Sequence, residues 1–170
     1  MDCYKIKEYK PGHEQEVYCL VKAVYDEFIS HENSTDGNQL FYEWISPGEI
    51  ANRQKSQNNM WLAWMGKELL GMIEIRDSNT VSLLFVNKYY QNNGIARHLF
   101  QTALTECTKR GSDIDKFYVH ASICSVLVYK NLGFYVTGKA HKENGIYYVP
   151  MEMTINKEDK NRTKVKKTES

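Results

Sequence analysis

No apolar run of fifteen residues occurs anywhere in the chain, so nothing in it is long enough to cross a bilayer as a helix. The opening MDCYKIKEYKPGHEQE has no apolar core after its lysines, and no secretory leader is expected. The cysteines Cys3, Cys19, Cys107 and Cys124 are scattered, with no C-x-x-C pair and no adjacent pair of histidines. Neither a zinc site nor a disulfide framework is therefore indicated, and reduced thiols in a cytoplasmic protein rank ahead of pairing in a secreted one. Charge of one sign is lacking too: a net charge of +1 argues against a polyanion-binding surface spread over the molecule. There is no internal repeat, no nucleotide-hydrolysing G-x-x-x-x-G-K-[ST] loop and no three-glycine dinucleotide fingerprint.

What is present is ordinary globular material. With 42% apolar and 25% charged residues over 170 positions, the chain reads as one domain spanning residues 1–155. A chain of this size buries about 70% of its unfolded surface. Residues 156–170, NKEDKNRTKVKKTES, carry a net +3 and leave −2 on the rest. A disordered, solvated tail is expected there; a nucleic-acid arm is the less favoured reading of so short a mixed-sign segment.

CYKIKEY alternates as a strand and is broken by Pro11-Gly12. Val17, Leu20, Val21, Val24, Tyr25 and Phe28 fall three and four apart, which predicts a helix from Glu14 to Ser30. HENSTDGN reads as a polar loop, and residues 39–54 as a helix broken at Pro47-Gly48. MWLAWM and LLGMIEIR form a predicted hairpin, followed by the strand TVSLLFVNK. Ile95, Ala96, Leu99, Phe100, Ala103, Leu104 and Cys107 give the clearest helical period, closed by Lys109, Arg110 and Gly111. KFYVHASI is a strand, SVLVYKNLGF a short helix, and FYVTGKAH with GIYYVPMEMTI a closing hairpin. This order predicts an α/β (α+β) fold with a mixed sheet and helices on both faces.

Between the apolar run VSLLFV and the strong helix stand QNN and one glycine. The first turn of a helix has backbone N–H groups without intrahelical partners and a positive dipole end, so a strand feeding such a start is suited to an anion. Gly94 would let a phosphate approach the backbone, Ala96 keeps the next turn clear, and Gln91, Asn92 and Asn93 could add neutral donors. An ordinary capped turn has the same ingredients.

QNNGIA resembles the Gln/Arg-x-x-Gly-x-Gly/Ala motif of the GNAT superfamily of N-acetyltransferases. VHASICSVLVYKNLGF is similar to that family's segment ending in Tyr-x-x-x-Gly-Phe, here Tyr129, Gly133 and Phe134, and GIYYVPMEMTI is similar to its Pro-Met ending. The resemblance covers residues 3–155. It implies a mostly antiparallel, twisted sheet with a central splay, and acetyl-CoA as cosubstrate bound in that opening. Leu84, Phe85 and Val86 would offer main-chain groups to the pantetheine arm, and Gln91, Asn92, Asn93, Gly94, Ile95 and Ala96 would hold the pyrophosphate, with Arg97 beside them. Where many members have an asparagine that touches the cofactor, this chain has Ser122.

The implied reaction is transfer of an acetyl group to a primary amine of a small molecule or peptide in a ternary complex. The alternative is a non-catalytic acyl-CoA-binding sensor or interaction module. Tyr129 would protonate the departing sulfur, a backbone N–H at Phe85 or Val86 would meet the charge developing on the carbonyl oxygen, and Glu74 is the candidate base, with His120 behind it. A solvated strand carboxylate and a histidine satisfied by its neighbours are the plainer readings of those two residues. The acceptor is expected over Phe28, His31, Asp36, Phe41 and Trp44. No membrane partner is expected, nucleic acid is disfavoured, no metal is called for, and the protein is expected as a monomer or homodimer.

Overall fold

The computed structural model describes residues 3–57, 59–111 and 113–156. The elements run β1 (Lys5–Glu8), α1 (Glu14–Phe28), α2 (Thr35–Trp44), α3 (Pro47–Gln57), β2 (Met60–Met65), β3 (Glu68–Arg76), β4 (Thr80–Val86), α4 (Ile95–Arg110), β5 (Lys116–Ala121), α5 (Val126–Leu132), β6 (Tyr135–Val136), β7 (His141–Glu143) and β8 (Ile146–Thr154). They build a sheet of order β1-β2-β3-β4-β5-β8-β6, with β7 paired to β8. Neighbours are antiparallel except β4 and β5. The expected mixed, mostly antiparallel sheet is thus the observed one.

Two cores sandwich it. On one face Leu99, Phe100, Ala103 and Cys107 of α4 press onto Trp61, Ile73 and Phe117; on the other Val17, Val21, Ile45 and Ile50 of the first three helices cover Met60, Leu62 and Met72. Each fully buried side chain of this size is worth about 1.5–3 kcal/mol, which is why the two helical stripes legible in the sequence settle on opposite faces.

Local differences from the sequence reading have identifiable causes. The segment expected to be one broken helix is two, and the first starts at Thr35 inside the expected loop because the Ser34 hydroxyl caps the Gly37 N–H at 3.1 Å. FYVTGKAH does not continue as one strand; only Tyr135–Val136 and His141–Glu143 pair with β8. Residues 157–170, most of the expected tail, lie outside the described residues.

The feature that matters most is in β4. Ile75 pairs with Val81 while Glu74 pairs with Leu83, so Ser82 has no partner of its own and forms a bulge. The parallel ladder from β4 to β5 holds only Thr80↔Tyr118 and Val81↔Val119 and stops at that bulge. Beyond it the strands part, and the β4 edge from Leu83 to Val86 faces an opening instead of a neighbour.

Candidate active site

The chain leaves β4 through Asn87, whose side chain accepts the Tyr89 N–H at 3.1 Å, and winds through a short 3-10 turn to Gln91. Gln91 Nε2 donates to the Val86 carbonyl at 3.0 Å, and Asn93 Nδ2 donates to the carbonyls of Tyr90 and Gln91 at 3.2 and 3.0 Å. Two of the three amides therefore brace the loop. Each does so through its side-chain amide to a carbonyl of the loop or of the β4 end.

Asn92 and Gly94 both take left-handed backbone, φ 62° and 79°. Gly94 stands at the N-cap of α4 without side-chain capping, and a Cβ placed on it would meet nothing within 4 Å. His98 N–H reaches the Gly94 carbonyl at 3.0 Å, but among the described residues no acceptor takes the N–H groups of Ile95, Ala96 or Arg97. Open space beside the glycine and unpartnered donors at the positive end of a sixteen-residue helix are what an anion needs.

This junction forms one end of a cavity of about 530 Å³. Its walls include Leu84, Phe85 and Val86 from the open β4 edge, Gln91, Asn92 and Gly94–Arg97 from the loop and α4, Phe28 and Ile29 from the end of α1, and Tyr129 from α5. Ten of the predicted cofactor and catalytic positions, and Phe28 from the expected acceptor side, are thus brought together around one space. Arg97 sits at its rim, donating to the Asn131 carbonyl at 2.8 Å and so bridging α4 to α5.

Tyr129 is 7% exposed, edge-on to Phe134 at 5.5 Å, and its hydroxyl has no hydrogen bond to any described residue. Burial pushes its pKa well above the ordinary tyrosine value, so it is a neutral donor throughout the physiological range. The ring is buried while the hydroxyl opens onto the cavity, where it is free to donate to a bound ligand.

Other expectations fall elsewhere. Asn93 and Ser122 do not line the cavity. The Ser122 hydroxyl instead bonds that of Ser125, which does. Glu74 is 2% exposed on the opposite face of the sheet, where Arg53 Nε and Nη2 reach its two oxygens at 3.0 and 3.2 Å and Gln54 Nε2 donates at 3.0 Å. With both oxygens engaged by three donors it ties β3 to α3, and it does not line the cavity. The alternation that pointed it out of the core at Ile73 and Ile75 pointed it into the second core, under α3.

His120 stacks on Tyr148 at 4.1 Å and 14°, with its pKa lowered by partial burial and by Arg76. It does not line the cavity. Of the expected acceptor residues, Phe28 does; Phe41 and Trp44 pack against the second core, and His31 and Asp36 are exposed. Cys124, Ser125, Val128 and Leu132 line the cavity without having been singled out. Their helical spacing around Tyr129 was the available signal.

Coenzyme A fits these residues: the unfilled N–H groups suit its pyrophosphate, the open strand edge its pantetheine amides, and the unpartnered phenol its sulfur. A family model described as "Acetyltransferase (GNAT) domain" matches residues 29–155. The fold is shared with a GCN5-related N-acetyltransferase structure from Rhodopseudomonas palustris, at a TM-score of 0.75 and 14% identity over 91% of this chain and 98% of that one. PaiA N-acetyltransferase from Thermoplasma acidophilum, solved in complex with coenzyme A, aligns at a TM-score of 0.73 and 15% identity over 90% and 99% of the two chains. The ribosomal-protein-S18-alanine N-acetyltransferase of Escherichia coli aligns at 0.64 and 16% over 91% and 95%. None of the curated proteins matches the sequence. The family match spans well over half of the chain and includes the cradle and Tyr129: the protein belongs to the GNAT acetyltransferases, which take their acyl group from acetyl-CoA.

Proposed function

We propose that the protein is an N-acetyltransferase that moves the acetyl group of acetyl-CoA onto a primary amine of a small molecule or peptide, directly and within a ternary complex. The single observation that carries this is the Tyr129 hydroxyl, without a partner among the described residues, on a side chain that lines the same cavity as the unfilled N–H groups of α4.

Acetyl-CoA supplies an activated thioester. The N–H groups of Ile95, Ala96 and Arg97, with Gly94 leaving room, bind its pyrophosphate, and the open edge of β4 at Leu84, Phe85 and Val86 orients the pantetheine arm. A backbone N–H at Phe85 or Val86 meets the negative charge that develops on the carbonyl oxygen.

Tyr129 donates its hydrogen bond to the sulfur as the carbon–sulfur bond breaks. A thiol with a pKa of about 8.5 is a stronger acid than an elevated phenol, so complete transfer from Tyr129 to the thiolate runs uphill. The hydroxyl therefore stabilises developing charge, and the proton that ends on sulfur is the one the attacking amine releases.

An aliphatic ammonium has a pKa of about 10.4 and must lose a proton before it attacks. No carboxylate or imidazole is among the residues lining the cavity, so water is the proton's route. The same shortage supports the second reading, a module that binds acyl-CoA without catalysis. Thiol release from acetyl-CoA against a panel of small amines and N-terminal peptides separates the two: release on at least one acceptor supports the enzyme, and coenzyme A binding with no release on any supports the module. The four unpaired cysteines accord with a cytoplasmic location.

A further inference from the structure

The connection between α1 and α2 is pinned across the open side of the sheet at two places. Glu32 accepts the Ile123 N–H on Oε2 at 3.0 Å and the Cys124 N–H on Oε1 at 2.9 Å, 91 and 92 residues away in sequence. One residue on, Asn33 Oδ1 accepts the Tyr147 N–H at 2.8 Å, and the Ser34 N–H donates to the Gly145 carbonyl at 2.9 Å. There Gly37 passes so close to the hairpin that a Cβ on it would lie 2.6 Å from the Gly145 carbonyl carbon. The segment is thus a strap from α1 to the β7–β8 hairpin, with a carboxylate clip between.

The clip is placed where it closes a wall. Phe28 and Ile29, just before the strap, line the cavity from one side; Cys124, Ser125 and Val128, just after the clipped amides, line it from the other. We propose that Glu32 is a positioning residue that latches this strap over the mouth of the cavity, holding the start of α5 and sheltering the acyl end from water until an acceptor enters. Carboxylate-to-amide bonds are charge-assisted, and both oxygens of Glu32 take part, so the latch is strong enough to define a closed state while its partly exposed setting lets it open. Exclusion of water matters here because a thioester left open to solvent is lost to hydrolysis.

The proposal rests on the acetyl-CoA reading of the cavity, and one experiment keeps the two apart. Cys124 carries one of the latched N–H groups, and its exposed thiol is a reporter at the mouth. Alkylation by iodoacetamide is followed residue by residue by peptide mass spectrometry, with Cys3 and Cys19 as exposed references and Cys107 as a buried one. In the wild-type protein coenzyme A should slow alkylation of Cys124 alone; if it does not, the cavity reading fails whatever the latch does.

Because Glu32 also holds the Cys124 thiol pKa up, rates are compared at their alkaline limit, where each thiol is fully ionised; there, without coenzyme A, Glu32→Ala should speed alkylation of Cys124 about fivefold and leave Cys3, Cys19 and Cys107 at their wild-type rates. Glu32→Gln, which keeps a carbonyl for one of the two N–H groups, should fall between. Acetyl-CoA hydrolysis measured without any amine should rise about tenfold in Glu32→Ala. An unchanged Cys124 rate, or equal acceleration at Cys107, overturns the latch; the second result would show general loosening of the fold.

Discussion

Two polar sites, one buried at Glu74 and one opening onto the cavity at Tyr129, differ in how far the fold itself satisfies them. Around Glu74 every group is matched: Arg53 and Gln54 saturate the carboxylate, and Arg53 also donates to the Trp44 carbonyl at 2.6 Å while lying 4.3 Å over the Trp44 ring. Around Tyr129 donors are left over: among the described residues the phenol has no acceptor, and the first N–H groups of α4 have none either. Buried polar groups are normally satisfied within the fold. A saturated cluster therefore signals architecture, and an unsaturated one signals a ligand. The contrast agrees with the role expected for Tyr129 and gives Glu74 a third one, neither base nor solvated strand carboxylate but a buried tie.

The contrast is broken most severely at Tyr129. Tyr129→Phe should lower turnover about a hundredfold while leaving thermal stability and coenzyme A affinity near wild type, as measured by thiol release, calorimetric unfolding and titration. Loss of stability with unaltered turnover would place Tyr129 with the structural groups.

Glu74→Ala should do the opposite. Removing the buried carboxylate leaves the half-buried Arg53 guanidinium and the buried Gln54 amide without their acceptor and costs about 3 kcal/mol in denaturant unfolding, and coenzyme A affinity of the folded fraction should be unchanged. A selective loss of turnover in a stable variant would return Glu74 to the chemistry.

Gly94→Val tests the cradle. The added side chain meets open space, so the effect comes from forcing a β-branched residue to φ 79°, at a cost of about 1–2 kcal/mol. Coenzyme A affinity should fall about tenfold as the side chain fills the space reserved for the pyrophosphate.

The smallest effect concerns a saturated surface site. Glu14 accepts from the Tyr9 hydroxyl and, at 2.9 Å, from the Gly12 N–H, and the Tyr9 bond is the leading reason its pKa is lowered. A lowered carboxyl contributes stability above its unfolded pKa and loses it as pH falls through the folded one. Glu14→Gln should therefore cost under about 1 kcal/mol at pH 7, after allowance for screening at this exposed site. The difference from wild type should vanish at pH values well below 4.5, the ordinary value. A difference that persists undiminished in acid would mean that the contact is not ionic.

Much of this molecule was legible before any coordinates. The stripe from Ile95 to Cys107 is a helix because its period is unambiguous, and the glycine of QNNGIA stands at its start with open N–H groups beyond it, as the motif led one to expect. What escaped the sequence was set by long-range partners. Whether Gln91 and Asn93 face a ligand or their own loop depends on carbonyls within bonding reach, and periodicity is silent on that. Which of two cores receives Glu74 depends on where α3 packs. The bulge at Ser82, which opens the sheet, leaves no mark in TVSLLFV, because burial alternates straight through it, with Val81 and Leu83 buried on either side of a half-buried Ser82. The clip at Glu32 joins segments far apart in the chain and could only be seen once they met.

The most direct test of the account is an amide-resonance titration with coenzyme A. Ile95, Ala96 and Arg97 should show the largest shifts, moving downfield together as their protons acquire phosphate acceptors, while the amides around Glu74 stay in place. Absence of binding, or binding that leaves those three amides unmoved, would contradict it.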